Sequence, residues 1–366
     1  MKSLVETFVQ TAEAGAVAVN RSTRGRSRAR RLIKLLTGKP RILVTAHQHP
    51  DPDALASCLA LCTLLNAKLP NVTVHLMFKG RIGGGLNEAF IRHTDLSYLP
   101  WDESALSTYD AILLLDVQPS FAYNPLPAGV TPTCVIDHHR TRGRQPKFAF
   151  SDIRKDVGAT ASIIFSYFLE LNVEITPALA ATLLFAIESD LAGTAGTPSE
   201  LDNVALSSLV LRADTHRLYQ MRYVDLPQSY YQAYAEGLTS ATFFDDAMLA
   251  HMEEIDSLEK PAVVADFLLR FDRVQWCLVT ATHDRKLILS LRTSDPKHSA
   301  GEVMRKLIRR LGEGGGHRTK AGGNISLDSA TPQEVERLRK RLKRRFLSAV
   351  GIPLNVRGVK LVTPAP

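Results

Sequence analysis

The stretch "RILVTAHQHPDPDALAS", residues 41–57, decides how the chain is read. Its apolar run "RILVTA" reads as a buried strand, and "DALASCLALCTLLNAKL" (53–69) as a helix with an apolar face. Between the two, His47, Asp51 and Asp53 fall within seven residues. Such a turn either caps a helix or forms half of a metal site.

Working outward, the same alternation continues. "VTVHLMF" (72–78), "AILLLDV" (111–117) and "TCVID" (133–137) read as further strands, with helices over residues 158–171 and 177–188. Pro177 suits a first helical turn. Near-continuous apolar strands separated by helices predict an α/β domain built on a parallel sheet covered on both faces.

Residues 206–238 turn polar and tyrosine-rich, a helical connector. The second half starts afresh with a helix in "AVVADFLLRF" (262–271), then strands "WCLVTATHD" (276–284) and "LILSLRT" (287–293) meeting at a polar turn. An amphipathic helix, "GEVMRKLIRRLG" (301–312), leads into the glycine-rich "EGGGHRTKAGGNISL" (313–327). The expected division is a helical, basic extension (1–40), a first α/β domain (41–214), a linker (215–238), a smaller α/β domain (239–350) and a tail (351–366).

Composition agrees with a two-domain globular protein: 366 residues, 45% hydrophobic and 22% charged. No apolar run reaches the ~18 residues that span a bilayer, and the N-terminal stretch lacks a secretory pattern. Cys58, Cys62, Cys134 and Cys277 form no CxxC pair, so reduced thiols and a cytoplasmic location are expected. The net charge of +8 favours an anionic partner. It is concentrated in residues 21–34 and in "RLRKRLKRRF" (337–346), which reads as a surface helix.

In a parallel α/β sheet, ligands gather beyond the carboxyl ends of the strands. His47, Asp51 and Asp53 follow the first strand, Asp116 closes "ILLLD", Asp137-His138-His139 closes "CVIDHH", and Asp190 ends "LLFAIESD". Each alone has an ordinary use: Asp53 as a helix cap, Asp116 or Asp190 in a turn, His138 at the surface. Together, carboxylates at one edge repel unless cations neutralise them. Carboxylate and imidazole donors suit Mn²⁺, or Mg²⁺. Two such ions ~3.5–4 Å apart can activate a water and clamp phosphoryl oxygens. Asp116, on a central strand, is the natural bridge between them. A remaining histidine of the "DHH" run could pass a proton to a phosphate oxygen or leaving group.

"HQHPDPDALAS", "LLLD", "VIDHH" and "AIESD" together resemble the motifs of the DHH phosphoesterase family, which includes RecJ-type exonucleases, family II pyrophosphatases and NrnA-type nano-RNases. "SLRT" and "GGGHRTKAGG" resemble the DHH-associated domain of the RecJ and NrnA branches. The resemblance covers roughly residues 40–350. It implies that His47, Asp51 and Asp116 hold one metal, that Asp53, Asp116, His138 and Asp190 hold the other, and that His139 faces the scissile phosphate. Asp137 would orient a neighbouring ligand histidine, and His49 would be a loop residue.

In the second domain, glycines can turn the backbone tightly and aim N–H groups at an anion. Gly314, Gly315, Gly316 and His317, with Arg292, are therefore expected to clamp a substrate phosphate or nucleotide end. Glu313 and Lys320 depart from the family pattern beside that clamp. The expected activity is two-metal hydrolysis of short single-stranded oligonucleotides to mononucleotides, extending to 3′-phosphoadenosine 5′-phosphate. The rivals are a cyclic- or linear-dinucleotide phosphodiesterase, an exopolyphosphatase, and a catalytically silent nucleotide-binding protein. Short oligonucleotides or nucleotide phosphates are the expected partners, with no membrane and with room for a homodimer.

Overall fold

The structure is a computed structural model that describes residues 27–80, 82, 85–141, 146–191, 198–316 and 318–362. Contacts divide the chain between Val224 and Asp225 into two compact units.

The first unit opens with helix α1 (Arg28–Leu36), which buries Ala29, Leu32 and Leu36, so this end of the basic extension is part of the domain core. Strand β1 (Arg41–Ala46) follows, then α2 (Pro52–Lys68), β2 (Thr73–Phe78), α3 (Gly85–Arg92) and the short β3 (Leu99–Pro100). Next come β4 (Ala111–Leu115), β5 (Cys134–Asp137) and β6 (Phe150–Ile153), then helices α4 (Thr160–Leu171), α5 (Pro177–Leu191), α6 (Glu200–Val210) and α7 (Thr215–Arg222).

The six strands pair parallel in the order β3-β2-β1-β4-β5-β6. The chain reverses direction across the sheet between β1 and β4. A crevice opens beyond the strand ends at such a switch point, and that is where a parallel α/β sheet receives ligands.

Side chains alternate between the two faces of each strand. Ile42, Val44, Leu113 and Ile136 face the core formed with the helices, whereas Leu43, Ile112, Leu114 and Val135 face the other way. That second face is covered by the 3₁₀ turn Ser104–Thr108 and by loop residues such as Phe121, Leu126 and Val130. The sheet is therefore covered on both faces, as expected, by helices on one and by loops and a 3₁₀ turn on the other. Helix α2 is apolar nearly all round rather than on one face, because it sits under other helices as well as the sheet.

The second unit begins with α8 (Gln228–Ser240), so the tyrosine-rich connector is split between the two units. Strands β7 (Thr242–Phe244) and β8 (Ala247–Glu254), helix α9 (Lys260–Leu268), and strands β9 (Trp276–His283) and β10 (Lys286–Thr293) follow. Helix α10 (Ala300–Ile308), strands β11 (Glu313–Gly316) and β12 (Lys320–Ser326), helix α11 (Pro332–Ala349) and strand β13 (Val359–Lys360) complete it. The mixed sheet runs β11-β12-β10-β9-β8-β7-β13, parallel only at β8–β9. Helices α10 and α11 share one apolar core with it and α8 and α9 the other, giving three layers. The hairpin between β9 and β10 turns at Asp284 and Arg285, both left-handed, as a two-residue hairpin requires.

One expectation is corrected here. The glycine run is not a loop but the edge strand β11, pairing Gly314 with Gly323, Gly315 with Gly322 and Gly316 with Ala321. A Cβ on Gly314 would lie 2.5 Å from the Gly322 carbonyl oxygen, so here glycine permits close strand contact rather than a turn. Among the described residues, no helix is long and apolar enough to cross a membrane.

Candidate metal centre

The opening turn resolves into two separate tasks. Asp51 is the N-cap of α2, its carboxylate accepting from the Ala54 amide at 3.0 Å, with Pro52 at the first helical position. Asp53, the expected cap, instead points inward and is 1% exposed. Its carboxylate accepts from the Thr160 and Ala161 amides at 2.7 and 2.8 Å, thereby capping the distant helix α4. The two aspartates thus tie the switch-point turn to two helix N-termini, whose partial positive charge favours carboxylates. His49 takes a left-handed conformation and lays its ring over Gly80.

Asp116, directly after β4, takes a left-handed conformation, φ 56°, which costs an L-residue ~1–2 kcal/mol. The kink is held by its amide donating to the Ile136 carbonyl and by the Thr160 hydroxyl donating to Oδ1 at 2.8 Å. Its two carboxylate oxygens face different partners. Oδ2 lies 3.6 Å from His47 Nε2, and Oδ1 lies 3.4 Å from His138 Nε2. His47 Nε2 is also 3.8 Å from Asp51, and His138 Nε2 is 3.6 Å from Asp190.

These separations are too long for hydrogen bonds. They fit donor atoms sharing an ion: ligands ~2.1 Å from one centre stand roughly 3 to 4 Å apart, depending on the angle between them. Three overlapping groups have ligand atoms within 4.8 Å of one another: His47, Asp51 and Asp116; Asp53, His138 and Asp190; and Asp116, His138 and His139. The structure therefore brings all six expected ligands together, with Asp116 common to two groups.

The electrostatics also fit cations. Burial, then Asp116 and Asp190, push the Asp53 carboxyl well above its usual range. Burial, then Asp51, Asp137 and Asp190, do the same to Asp116. Burial alone would lower His47 and His138, but the surrounding carboxylates raise both. Buried carboxyls that raise one another in this way would be stabilised as anions by a bound cation. The donor set, carboxylates with imidazoles and no thiolate, suits Mn²⁺ or Mg²⁺.

Asp137 is fully buried and serves His139 rather than His138. Its Oδ1 accepts from the His139 ring Nδ1 at 2.8 Å and from the His139 amide at 3.1 Å. His138 Nδ1 instead lies 3.3 Å from the Val157 carbonyl. Burial would raise Asp137, but the hydrogen bonds from His139 and Gln118 bring it below the ordinary value. Gln118 donates to both Asp137 (2.6 Å) and the His139 carbonyl (3.0 Å).

Gln118 and Thr160 are site residues that the sequence reading missed. Gln118, two positions after Asp116, carried a faint signal; Thr160, contributed by a distant helix start, carried none. Tyr123 and Phe121, from the loop after β4, pack edge-on against His47 and His139.

In the second unit, Arg292 is held by Asp266, with Nε donating at 2.6 Å. Register places Arg292 opposite Lys320 and Gly316 opposite Ala321, so Gly316 and Arg292 lie at the same end of the sheet, on strands either side of β12. His317 lies outside the described residues. The four cysteines are buried free thiols, with Cys134 pushed up to about 12 by burial.

Residues 41–187 match the model for the DHH family, N-terminal domain, and residues 246–347 match that for the DHHA1 domain. An uncharacterized protein of Methanocaldococcus jannaschii is 29% identical over 86% of this chain and 65% of its own length. A probable manganese-dependent inorganic pyrophosphatase of Listeria innocua is 27% identical over 47% of this chain and 55% of its own. The chain thus spans less than two thirds of either relative. An exopolyphosphatase-related protein from Bacteroides fragilis shares the fold, with TM-score 0.70 and 16% identity over 88% of this chain and 97% of that one.

Proposed function

This chain belongs to the DHH family, a DHH domain followed by a DHHA1 domain, and we propose that it is a two-metal phosphoesterase of the nano-RNase type. Its substrates would be short oligonucleotides, cleaved to mononucleotides, and also 3′-phosphoadenosine 5′-phosphate. The observation that carries this reading is Asp116, whose two oxygens face two different ligand groups.

His47, Asp51 and Asp116 would hold one divalent cation, and Asp53, Asp116, His138 and Asp190 the other. Mn²⁺ is favoured by the imidazole donors and by the manganese dependence in the name of the Listeria relative. Bound, the pair supplies Lewis-acid activation of water and neutralises phosphoryl charge. Asp137, kept ionised and buried, fixes the His139 ring through Nδ1 and orients it to donate a proton from Nε2 to a phosphate oxygen or leaving group. Gln118 braces that pair from the other side.

The likeness to the pyrophosphatase spans only 47% of the chain. A DHHA1 domain with a cationic balance suits a substrate with more than one recognition point, which favours oligonucleotides over pyrophosphate. Arg292 and the strand Glu313–Gly316 would take the substrate end. Buried, unbridged cysteines support a reducing compartment such as the cytoplasm.

The test is turnover with Mn²⁺ on di- to penta-nucleotides beside 3′-phosphoadenosine 5′-phosphate, pyrophosphate, polyphosphate and cyclic di-AMP. The expected outcome is mononucleotide release, cut roughly a thousandfold by Asp116→Ala, a loss of ~4 kcal/mol. Equal rates for wild type and Asp116→Ala would sink the metal-centre reading. Turnover of polyphosphate or pyrophosphate without dinucleotides would overturn the substrate.

A further inference from the structure

Helix α11 carries a charge pattern that the catalytic reading does not use. From Arg337 to Arg345 its sequence, "RLRKRLKRR", holds seven cations, two leucines and no carboxylate. The apolar stripe Val335, Leu338, Leu342 and Phe346 is buried in the core of the second unit. Opposite it, Arg337, Lys340, Arg341 and Arg344 are all exposed, at the i, i+3, i+4, i+7 spacing of a single helical face.

The inner flanks are cationic as well. On one side Arg339 donates to the Met252 carbonyl at 2.7 Å, and Lys343 lies over the Phe244 ring. Burial, then Arg339, Lys360 and Lys343, depress the His251 imidazole to about 4. On the other side Arg345 caps the end of α10, donating to the Leu307 and Arg309 carbonyls. Among the described residues, the carboxylates within ion-pair range of this helix's cations are Glu336 against Lys340 (3.4 Å) and Glu253 against Arg339 (3.9 Å), both exposed.

A face that served solubility alone would mix signs. Here like charges repeat at i, i+4 (Arg337–Arg341, Lys340–Arg344, Arg341–Arg345), which costs the helix stability. A polyanion laid along the face would remove that cost. Membrane binding needs an apolar helix face to bury in lipid, and that of α11 is already spent inside the domain. Arginines predominate, and a guanidinium grips phosphate oxygens in a planar fork that lysine lacks.

We propose that the exposed stripe Arg337, Lys340, Arg341 and Arg344 is a second, non-catalytic site that binds the phosphodiester backbone of a single nucleic-acid strand without reading its bases. The site stands on charge and burial in the second unit and does not rest on the catalytic reading.

The test uses the full-length chain carrying Asp116→Asn, so that the strand is not consumed, and a labelled single-stranded oligouridylate titrated between ~50 and ~200 mM salt. The fourfold variant R337Q/K340Q/R341Q/R344Q changes only exposed positions. It is expected to bind at least tenfold more weakly, with a log K against log salt slope shallower by about 3, since each lost single-strand phosphate contact removes ~0.7. The same four changes in an otherwise wild-type chain should leave dinucleotide hydrolysis unaltered. The double variant K340Q/R344Q, expected to lose about half the slope change, serves if the fourfold variant fails to fold. Unchanged RNA affinity and slope in a folded variant would overturn the proposal. So would binding of the parent chain to phosphatidylserine vesicles in the absence of any RNA binding.

Discussion

Asp137 separates positioning from metal binding at the residue scale. Its carboxylate touches none of the residues expected to hold an ion; it is spent on the His139 ring and amide and on Gln118. Asp137→Asn should therefore leave Mn²⁺ affinity nearly intact while lowering kcat about 10- to 100-fold, the usual cost of losing an orienting partner. Titration of Mn²⁺ binding beside steady-state kinetics checks this; equal losses in both would place Asp137 among the groups that hold the ions. The gathering of His47, Asp51, Asp53, Asp116, His138 and Asp190 was legible because each stands at or beside the start or end of an element in a parallel α/β pattern. The partition of roles was not. That Asp51 caps its own helix while Asp53 caps α4 depends on a helix start more than a hundred positions away, which no local spacing encodes. Nor does sequence distinguish which histidine of the "DHH" run turns back onto Asp137.

At the element scale, strands of branched and long aliphatic residues, such as "AILLL" and "RILVTA", announce themselves because burial on both faces removes any need for alternation. The strand Glu313–Gly316 could not, since three glycines carry no side-chain pattern and are read first as a turn. Its reason lies in its neighbour: Gly322 and Gly323 of β12 lie opposite Gly315 and Gly314, and the two strands approach too closely for a Cβ at Gly314 or Gly316. A Cβ on Gly314 would meet the Gly322 carbonyl oxygen at 2.5 Å and the Gly323 Cα at 2.6 Å, whereas one on Gly315 meets nothing within 4 Å. Gly314→Ala should then cost about 1–3 kcal/mol, as overpacking does, and Gly315→Ala less than about 1 kcal/mol. Urea unfolding of the two variants decides it, and equal costs would mean that β11 is not held against β12 as described.

At the scale of the whole molecule, each unit has its own apolar cores and one of the chain's two tryptophans, so their stabilities can be read separately. Trp101 packs on the loop-covered face of the first unit, and Trp276 is 2% exposed in the second. Variants Trp101→Phe and Trp276→Phe leave one reporter each. Mn²⁺ at a hundredfold its dissociation constant should stabilise the Trp101 signal by ~2.7 kcal/mol, and a chelator should reverse it. The second unit should respond to protons instead. His251 is held neutral, its folded value of about 4 lying below the ordinary ~6.5 of an unfolded histidine. A depressed value means that the unfolded chain binds the proton first, so stability is full above ~6.5 and drains away as pH falls toward the folded value. Between about pH 7 and pH 5 the Trp276 transition should lose ~2 kcal/mol, and His251→Gln should abolish most of that loss. A Trp276 transition that is flat over this range, or one that Mn²⁺ shifts as strongly as the Trp101 transition, would mean that the two units do not carry their stabilities independently.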